Sequence, residues 1–324
     1  ILCLIIIIIL IIVIYYLLSN TDTAESDIPQ KTNEALVNNV QSEANYSQIF
    51  QTISNRDDYF AIKNILEIYF LNIRNINGDT FIDTSRVENV EASIQETKER
   101  GINSIKNMLS EEYINDMNVT EDTIINEANK YTVSGDYSQT NIDYAIQINN
   151  IYVAQLSSNK LLFLVEIQAS KTTANIIIKL DLDNNTFSIF LSDYLEKYRY
   201  NKDMSGENIT FSYNSISDAD MAREYFSLYK TNILNNQEKM YSMLNEEYRN
   251  IRFKDYSDFQ EYVQDMANTI NASTLERYQV ENENNNTIIY RLLDNYNNAY
   301  ILNVNSNNIL DYNIQLDDYT IETD

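Results

Sequence analysis

Met108-Leu109-Ser110-Glu111-Glu112-Tyr113-Ile114-Asn115 recurs as Met243-Leu244-Asn245-Glu246-Glu247-Tyr248-Arg249-Asn250, with six of eight positions identical. The surroundings of the two copies match in order. Before the first, Ile62, Ile65, Leu66, Tyr69, Phe70 and Ile73 recur at helical spacing from near Asp57, until Asn77-Gly78 stops the stripe. Before the second, Ala222, Tyr225, Phe226, Tyr229 and Ile233 form the same kind of stripe, and Met240, Met243 and Leu244 mark the next helix. A polar stretch runs to Arg100-Gly101, and Ile102, Ile105, Met108 and Leu109 define the corresponding helix of the first copy. A third helix is expected in each: one after Thr120, with Glu121 and Asp122 in its first turn, the other opened by the capping box Ser257-Asp258-Phe259-Gln260.

After the helices the period changes to two. Tyr144, Ile146 and Ile148 alternate with polar residues, and strand-like runs follow at 160–168, 175–182 and 186–191. The second copy has such runs at 274–280, 287–293, 299–305 and 309–316. The last hairpins correspond, Leu182-Asp183-Asn184-Asn185-Thr186-Phe187 with Val304-Asn305-Ser306-Asn307-Asn308-Ile309, and Asp193-Tyr194 and Asp318-Tyr319 close them. Helices followed by antiparallel strands, twice, mean an α+β fold. The expectation is two copies of one unit, each three helices packed on a curved antiparallel sheet. The first copy (46–200) carries an insertion of roughly 25 residues between its first two helices. A linker (201–214) containing Gly206 leads to the second (215–324).

The chain has 324 residues, no His, no Trp, one Cys, four Gly and one Pro. Without His there is no Ser-His-Asp catalysis and no His-ligated zinc. The single Cys3 excludes an internal disulfide or a cysteine-held cluster, and four glycines form no phosphate-binding loop. Lys and Arg number 23 against 48 Asp and Glu, a net charge of −25, which argues against nucleic acid as a partner.

Residues 1–18, Ile1 to Leu18, contain no charge and end near Tyr15 and Tyr16. A helix of that length nearly spans a ~30 Å hydrocarbon core, so the sequence predicts a retained transmembrane anchor, with a basic flank expected ahead of the uncharged run. The alternative, a cleaved signal peptide, fits less well: the run is long and residues 19–24 make a poor cleavage site. Residues 19–45, with Pro29, read as a polar stalk. The implied location is a bacterial cell membrane, single-pass, with the bulk of the chain extracytoplasmic.

Tyr225-Phe226-Ser227-Leu228-Tyr229-Lys230, Met243-Leu244-Asn245-Glu246-Glu247-Tyr248, Phe253-Lys254 and Phe259-Gln260-Glu261-Tyr262 resemble the three-helix opening of bacterial nuclear-transport-factor-2-like domains. The resemblance covers 215–324 and, more weakly, 55–200. It implies cone-shaped domains. An anchor, a stalk and two such domains resemble the inner-membrane assembly proteins of type IV secretion and conjugation, or membrane-anchored Firmicute surface proteins. What this implies is a non-enzymatic scaffold with protein partners. The alternative is a small-ligand or cell-wall-fragment binding module using a cone as its pocket.

Enzymes of that superfamily use a buried Asp with a Tyr donor. Glu166, Asp181 and Asp311 are the strand acids that could face inward, but Asp311 and Tyr312 are neighbours on a strand and point to opposite faces. Glu111-Glu112 and Glu246-Glu247 sit about 100° apart around a helix, as a solvated face would. Asp181-Leu182-Asp183-Asn184-Asn185 begins like a calcium loop but has Thr186 and Ser192 at the sixth and twelfth positions, so a hairpin turn explains it better. No catalytic, cofactor or metal residue is assigned.

Overall fold

The computed structural model describes residues 50–78, 89–131, 146–169, 172–191, 209–210, 213–284 and 286–316. The expected anchor (1–18), stalk (19–45), most of the linker, Tyr144, Ser192 and the closing Asp193-Tyr194 and Asp318-Tyr319 lie outside them.

The first half begins with a short strand β1 (Gln51–Thr52) and four helices: α1 (Arg56–Asn77), α2 (Val90–Met108), α3 (Glu111–Met117) and α4 (Glu121–Lys130). Strands β2 (Ile146–Ser157), β3 (Lys160–Ala169), β4 (Thr172–Asp181), β5 (Thr186–Phe190) and β6 (Ile209–Thr210) follow. The second half has helices α5 (Asp218–Asn235), α6 (Gln237–Met243), α7 (Glu246–Arg252) and α8 (Tyr256–Ala272). It ends in strands β7 (Leu275–Asn284), β8 (Thr287–Asp294), β9 (Ala299–Asn305) and β10 (Asn308–Leu316). Both sheets are antiparallel meanders in sequence order, one of six strands and one of four.

This corrects the expected fold. Among the described residues no helix is long and apolar enough to cross a membrane. The longest, α1, spans 22 residues but carries Arg56, Asp57, Asp58, Lys63, Glu67 and Arg74. Nor do the halves show three helices on about four strands: among the described residues each has four helices, on sheets of six and four strands. The extra helix arises within the repeated octapeptide itself. Leu109 and Leu244 adopt extended backbone and end α2 and α6. Ser110 and Asn245 then start new helices, their side chains accepting from the Tyr113 and Tyr248 amides at 3.2 and 3.1 Å. The repeat is thus a helix break that turns the chain, with Tyr113 and Tyr248 driven into the core.

Two boundaries also move. Gly101 does not precede its helix; it lies inside α2, where a Cβ would stand 2.9 Å from the Asn72 carbonyl of α1. The glycine permits close helix packing. The last helix is capped by Asp255, which accepts from the Asp258 amide at 3.1 Å, and not by Ser257, which falls in its first turn.

The inner face of each sheet is filled. Phe163, Val165, Ile178 and Phe187 line the first, and Tyr290, Leu292, Tyr300, Leu302 and Ile314 the second, all buried against the helices. The two halves share one continuous apolar core. Their seam is polar at its rim. The Ile309 amide donates to the Ile53 carbonyl at 2.9 Å, and the Thr52 hydroxyl to the Asn307 carbonyl at 2.9 Å. Because the Ile53 amide also bonds the Ile151 carbonyl at 3.1 Å, the segment 51–53 ties one sheet to the other. At the start of α1, Arg56 pairs with Asp218, Asp57 accepts from the Ile216 amide at 2.6 Å, and Asp58 accepts from the Tyr213 hydroxyl at 2.6 Å. One turn on, buried Glu224 of α5 accepts from Tyr59 Oη and Lys63 Nζ, each at 2.6 Å.

Candidate functional site

A cleft of about 660 Å³ opens between the halves. The start of β2 supplies Gln147, Ile148 and Asn149; α5 and α6 supply Leu228, Asn232, Lys239, Ser242 and Met243. The opposite wall is the hairpin end of the second sheet. There Asn303 and Asn305 stand at alternate strand positions, so the pleat presents them on one side, and Asn307 follows in the hairpin turn. Asn313 lies directly across from Asn303 in the β9–β10 register, and Thr287 across from Asn305.

The wall is rich in carboxamides: Gln147 and Asn305, whose Oδ1 accepts from the Asn307 amide at 3.0 Å, use both ends within the protein, whereas Asn303 and Asn313 each use one. Asn303 Nδ2 donates to Asn313 Oδ1 at 3.1 Å, and Asn305 Nδ2 to Asp311 Oδ2 at 3.1 Å. Gln147 donates to Asn232 and accepts from Asn236 Nδ2 at 3.3 Å. A carboxamide offers two donors and two lone pairs. The Asn303–Asn313 pair therefore retains one carbonyl and one amino group for another molecule, whichever way the two amides are turned. Ile148, Leu228, Met243, Val304 and Leu310 provide apolar surface beside them.

Two charged residues line the cleft, Lys239 and Asp311. Asp311 is exposed. Lys239 is half-buried, its Nζ donating to Asn149 Oδ1 at 3.3 Å, and among the described residues no carboxylate pairs with it. Burial lowers its ammonium to about 8. A second, smaller cavity of about 60 Å³ shares Gln147, Ile148 and Leu228 with the cleft and adjoins Tyr59, Lys63 and Glu224.

The acids singled out in the sequence are not gathered into a site. Glu166 accepts from Asn150 Nδ2 at 2.7 Å on the first sheet. Asp181 closes the β4–β5 hairpin, accepting from the Asp183 and Asn184 amides at 3.1 and 3.3 Å and from Asn184 Nδ2 at 3.1 Å. Burial alone would raise its pKa, but these hydrogen bonds and Lys160 bring it below the usual range. Glu111, Glu246 and Glu247 are exposed in first helical turns.

The sequence did not reveal that tyrosine hydroxyls meet buried carboxylates four times. Besides Asp58–Tyr213 and Glu224–Tyr59, Tyr131 donates to Glu127 at 3.0 Å and Tyr300 to Asp294 at 2.9 Å. Glu127 also takes Lys130 Nζ at 2.9 Å, and Asp294 also takes the Tyr296 and Asn298 amides, each at 2.9 Å. In Glu127, Glu224 and Asp294 both carboxylate oxygens are occupied. These three groups knit the fold. The alternating Asn303 and Asn305 on β9 gave no signal of the cleft in the sequence, because an outward strand face is usually polar.

Compared with family models, curated proteins and solved structures, the chain matches none. The site is therefore read from its own side chains.

Proposed function

We propose that this chain is a non-catalytic binding protein whose inter-half cleft takes up a small hydroxyl- or amide-rich ligand, of the size of a short saccharide or peptide fragment. The observation that carries this reading is the Asn303–Asn313 pair, which keeps one carbonyl and one amino group free beside apolar surface in a cleft of about 660 Å³. That volume falls in the range of small-molecule sites, roughly 300–1,000 Å³, and the mixture of apolar surface with a few oriented polar groups is what such sites use. Asn side chains both donate and accept, which suits ligands that carry hydroxyls and amides together. The full occupancy of three of the four Tyr-bonded buried acids supports binding over turnover.

The scaffold function expected from the sequence has a thinner basis. The exposed apolar side chains among the described residues include two short same-face pairs, Ile68 with Leu71 on α1 and Val90 with Ile94 on α2, while Ile251, Tyr278 and Tyr296 lie on other elements.

The test is titration calorimetry of the full chain against neutral oligosaccharides and short capped peptides, with Asn303→Leu/Asn313→Leu as control. The expected result is saturable binding that weakens at least about tenfold in the double variant, at unchanged melting temperature. Equal binding by both proteins would move the site elsewhere, and absence of any binding would overturn the reading.

A further inference from the structure

Resting on that reading of the cleft, we propose that its ligand is a monoanion: a hydroxyl- or amide-rich body bearing one carboxylate, which docks on Lys239. Three observations converge. Lys239 is the one cation lining the cleft among the described residues, and among them its Nζ donates only to the neutral Asn149 Oδ1, at 3.3 Å. A half-buried ammonium without a counter-ion costs free energy; Lys63 has Glu224, Lys130 has Glu127 and Lys230 has two backbone carbonyls at 2.9 and 2.7 Å, whereas Lys239 has one side-chain oxygen. The counter-ion absent at Lys239 is thus left for a ligand. Third, the chain carries a net charge of −25, so a cation kept free of all those carboxylates is a local exception, and it stands where carboxamides already line the wall.

The surroundings favour a carboxylate over a more highly charged group. Asp311 also lines the cleft and Glu238 precedes Lys239 on the same helix, so a dianion would meet repulsion that one ammonium does not offset. A single carboxylate gains a charge-assisted hydrogen bond from Nζ while its polar body pairs with the Asn303–Asn313 wall.

The charge of Lys239 is also adjustable. Its pKa, lowered by burial to about 8, lies close to neutrality. The acids that accompany it are Asp311 in the cleft lining and Glu238 on its own helix. A bound carboxylate raises the pKa again. Preference for the anion is then complete below about pH 8 and is lost as the pH rises toward about 10, whereas carboxylates, titrating near about 4, keep their charge throughout.

The experiment uses two matched pairs on the full chain: a uronic-acid trisaccharide with its carboxyl-reduced form, and acetyl-Asn-Gly-Glu-amide with acetyl-Asn-Gly-Gln-amide. Calorimetry is expected to show at least one acid bound about tenfold or more tightly than its neutral partner at pH 7. Lys239→Gln should erase that ratio while leaving the neutral member within about twofold, and Lys239→Arg should retain it. The ratio should also collapse toward one at pH 10. Equal affinity within both pairs, or a ratio that survives Lys239→Gln or pH 10, overturns this inference and leaves the cleft as a neutral-ligand site. Binding by no member of either pair overturns the cleft reading with it.

Discussion

Asp58 and Asp181 are both buried acids, and their surroundings push them in opposite directions. Desolvation dominates at Asp58, partly offset by the Tyr213 hydrogen bond and reinforced by Asp57, so its pKa is raised. The folded state then holds this proton more tightly than the unfolded chain. Its contribution to stability therefore rises as pH falls from neutrality through the raised value. Asp181, lowered by its turn hydrogen bonds, contributes stability above the ordinary Asp value that is lost as pH falls through its own depressed one. Urea unfolding between pH 7 and 3 is expected to show the two signs in variants. Asp58→Asn, whose side-chain oxygen still accepts from Tyr213, narrows the stability gain on mild acidification, and Asp181→Asn removes part of the loss at lower pH. A second residue-scale expectation concerns Asp294, which receives two amides, an Asn side chain and the Tyr300 hydroxyl at the β8–β9 turn. Tyr300→Phe should cost about 1–2 kcal/mol in urea unfolding, and Asp294→Ala more, since it orphans several donors at once.

At the scale of elements, the close approach of α1 and α2 depends on Gly101. An added methyl would sit 2.9 Å from a backbone carbonyl and 3.0 Å from Ile76, and a backbone atom yields poorly. Gly101→Ala is therefore expected to destabilise the protein by about 1–3 kcal/mol despite its better helix propensity. Glu96→Ala, at an exposed position of the same helix, should stay within about 0.5 kcal/mol. Guanidinium midpoints at equal slope check both. This glycine also shows where sequence reasoning fell short. A Gly after a charged stretch looks like a boundary, and only the neighbouring helix reveals it as a packing device. The stripe Ile62–Ile73, the Gly78 stop with its φ of 76° and the strand at 299–305 were legible because local periodicity and turn chemistry decide them. The helix break at Leu109-Ser110 was hidden inside a conserved-looking match between the copies. Its consequence, a buried Ser110 cap, becomes visible only once the helices are packed. The cleft was illegible for a stronger reason: it is assembled from Asn149, Lys239 and Asn313, which lie far apart in the chain and carry no local pattern.

For the whole molecule, the decisive fact is that two repeated halves share one core and one polar seam. Differential scanning calorimetry of the full chain is expected to give a single transition with calorimetric and van't Hoff enthalpies in agreement. Two resolved transitions would contradict that coupling. Glu224→Ala leaves Tyr59 without its buried acceptor and Lys63 without its partner, and should lower the midpoint by an amount equivalent to about 2–4 kcal/mol while both halves still melt together.

The tie at residues 51–53 has a consequence in time. Thr52 meets the Asn307 carbonyl across 255 positions of sequence, and β1 pairs with β2 near Val153. A ribosome emits Thr52 and Ile53 long before their partners on β10 exist. At about 5–20 residues per second the wait is on the order of tens of seconds. The first half must therefore emerge with its Ile53 carbonyl and the seam side of α1 unmet, until β10 is made and closes the seam. A nascent chain stalled before residue 308 should bind chaperones that the released protein no longer attracts.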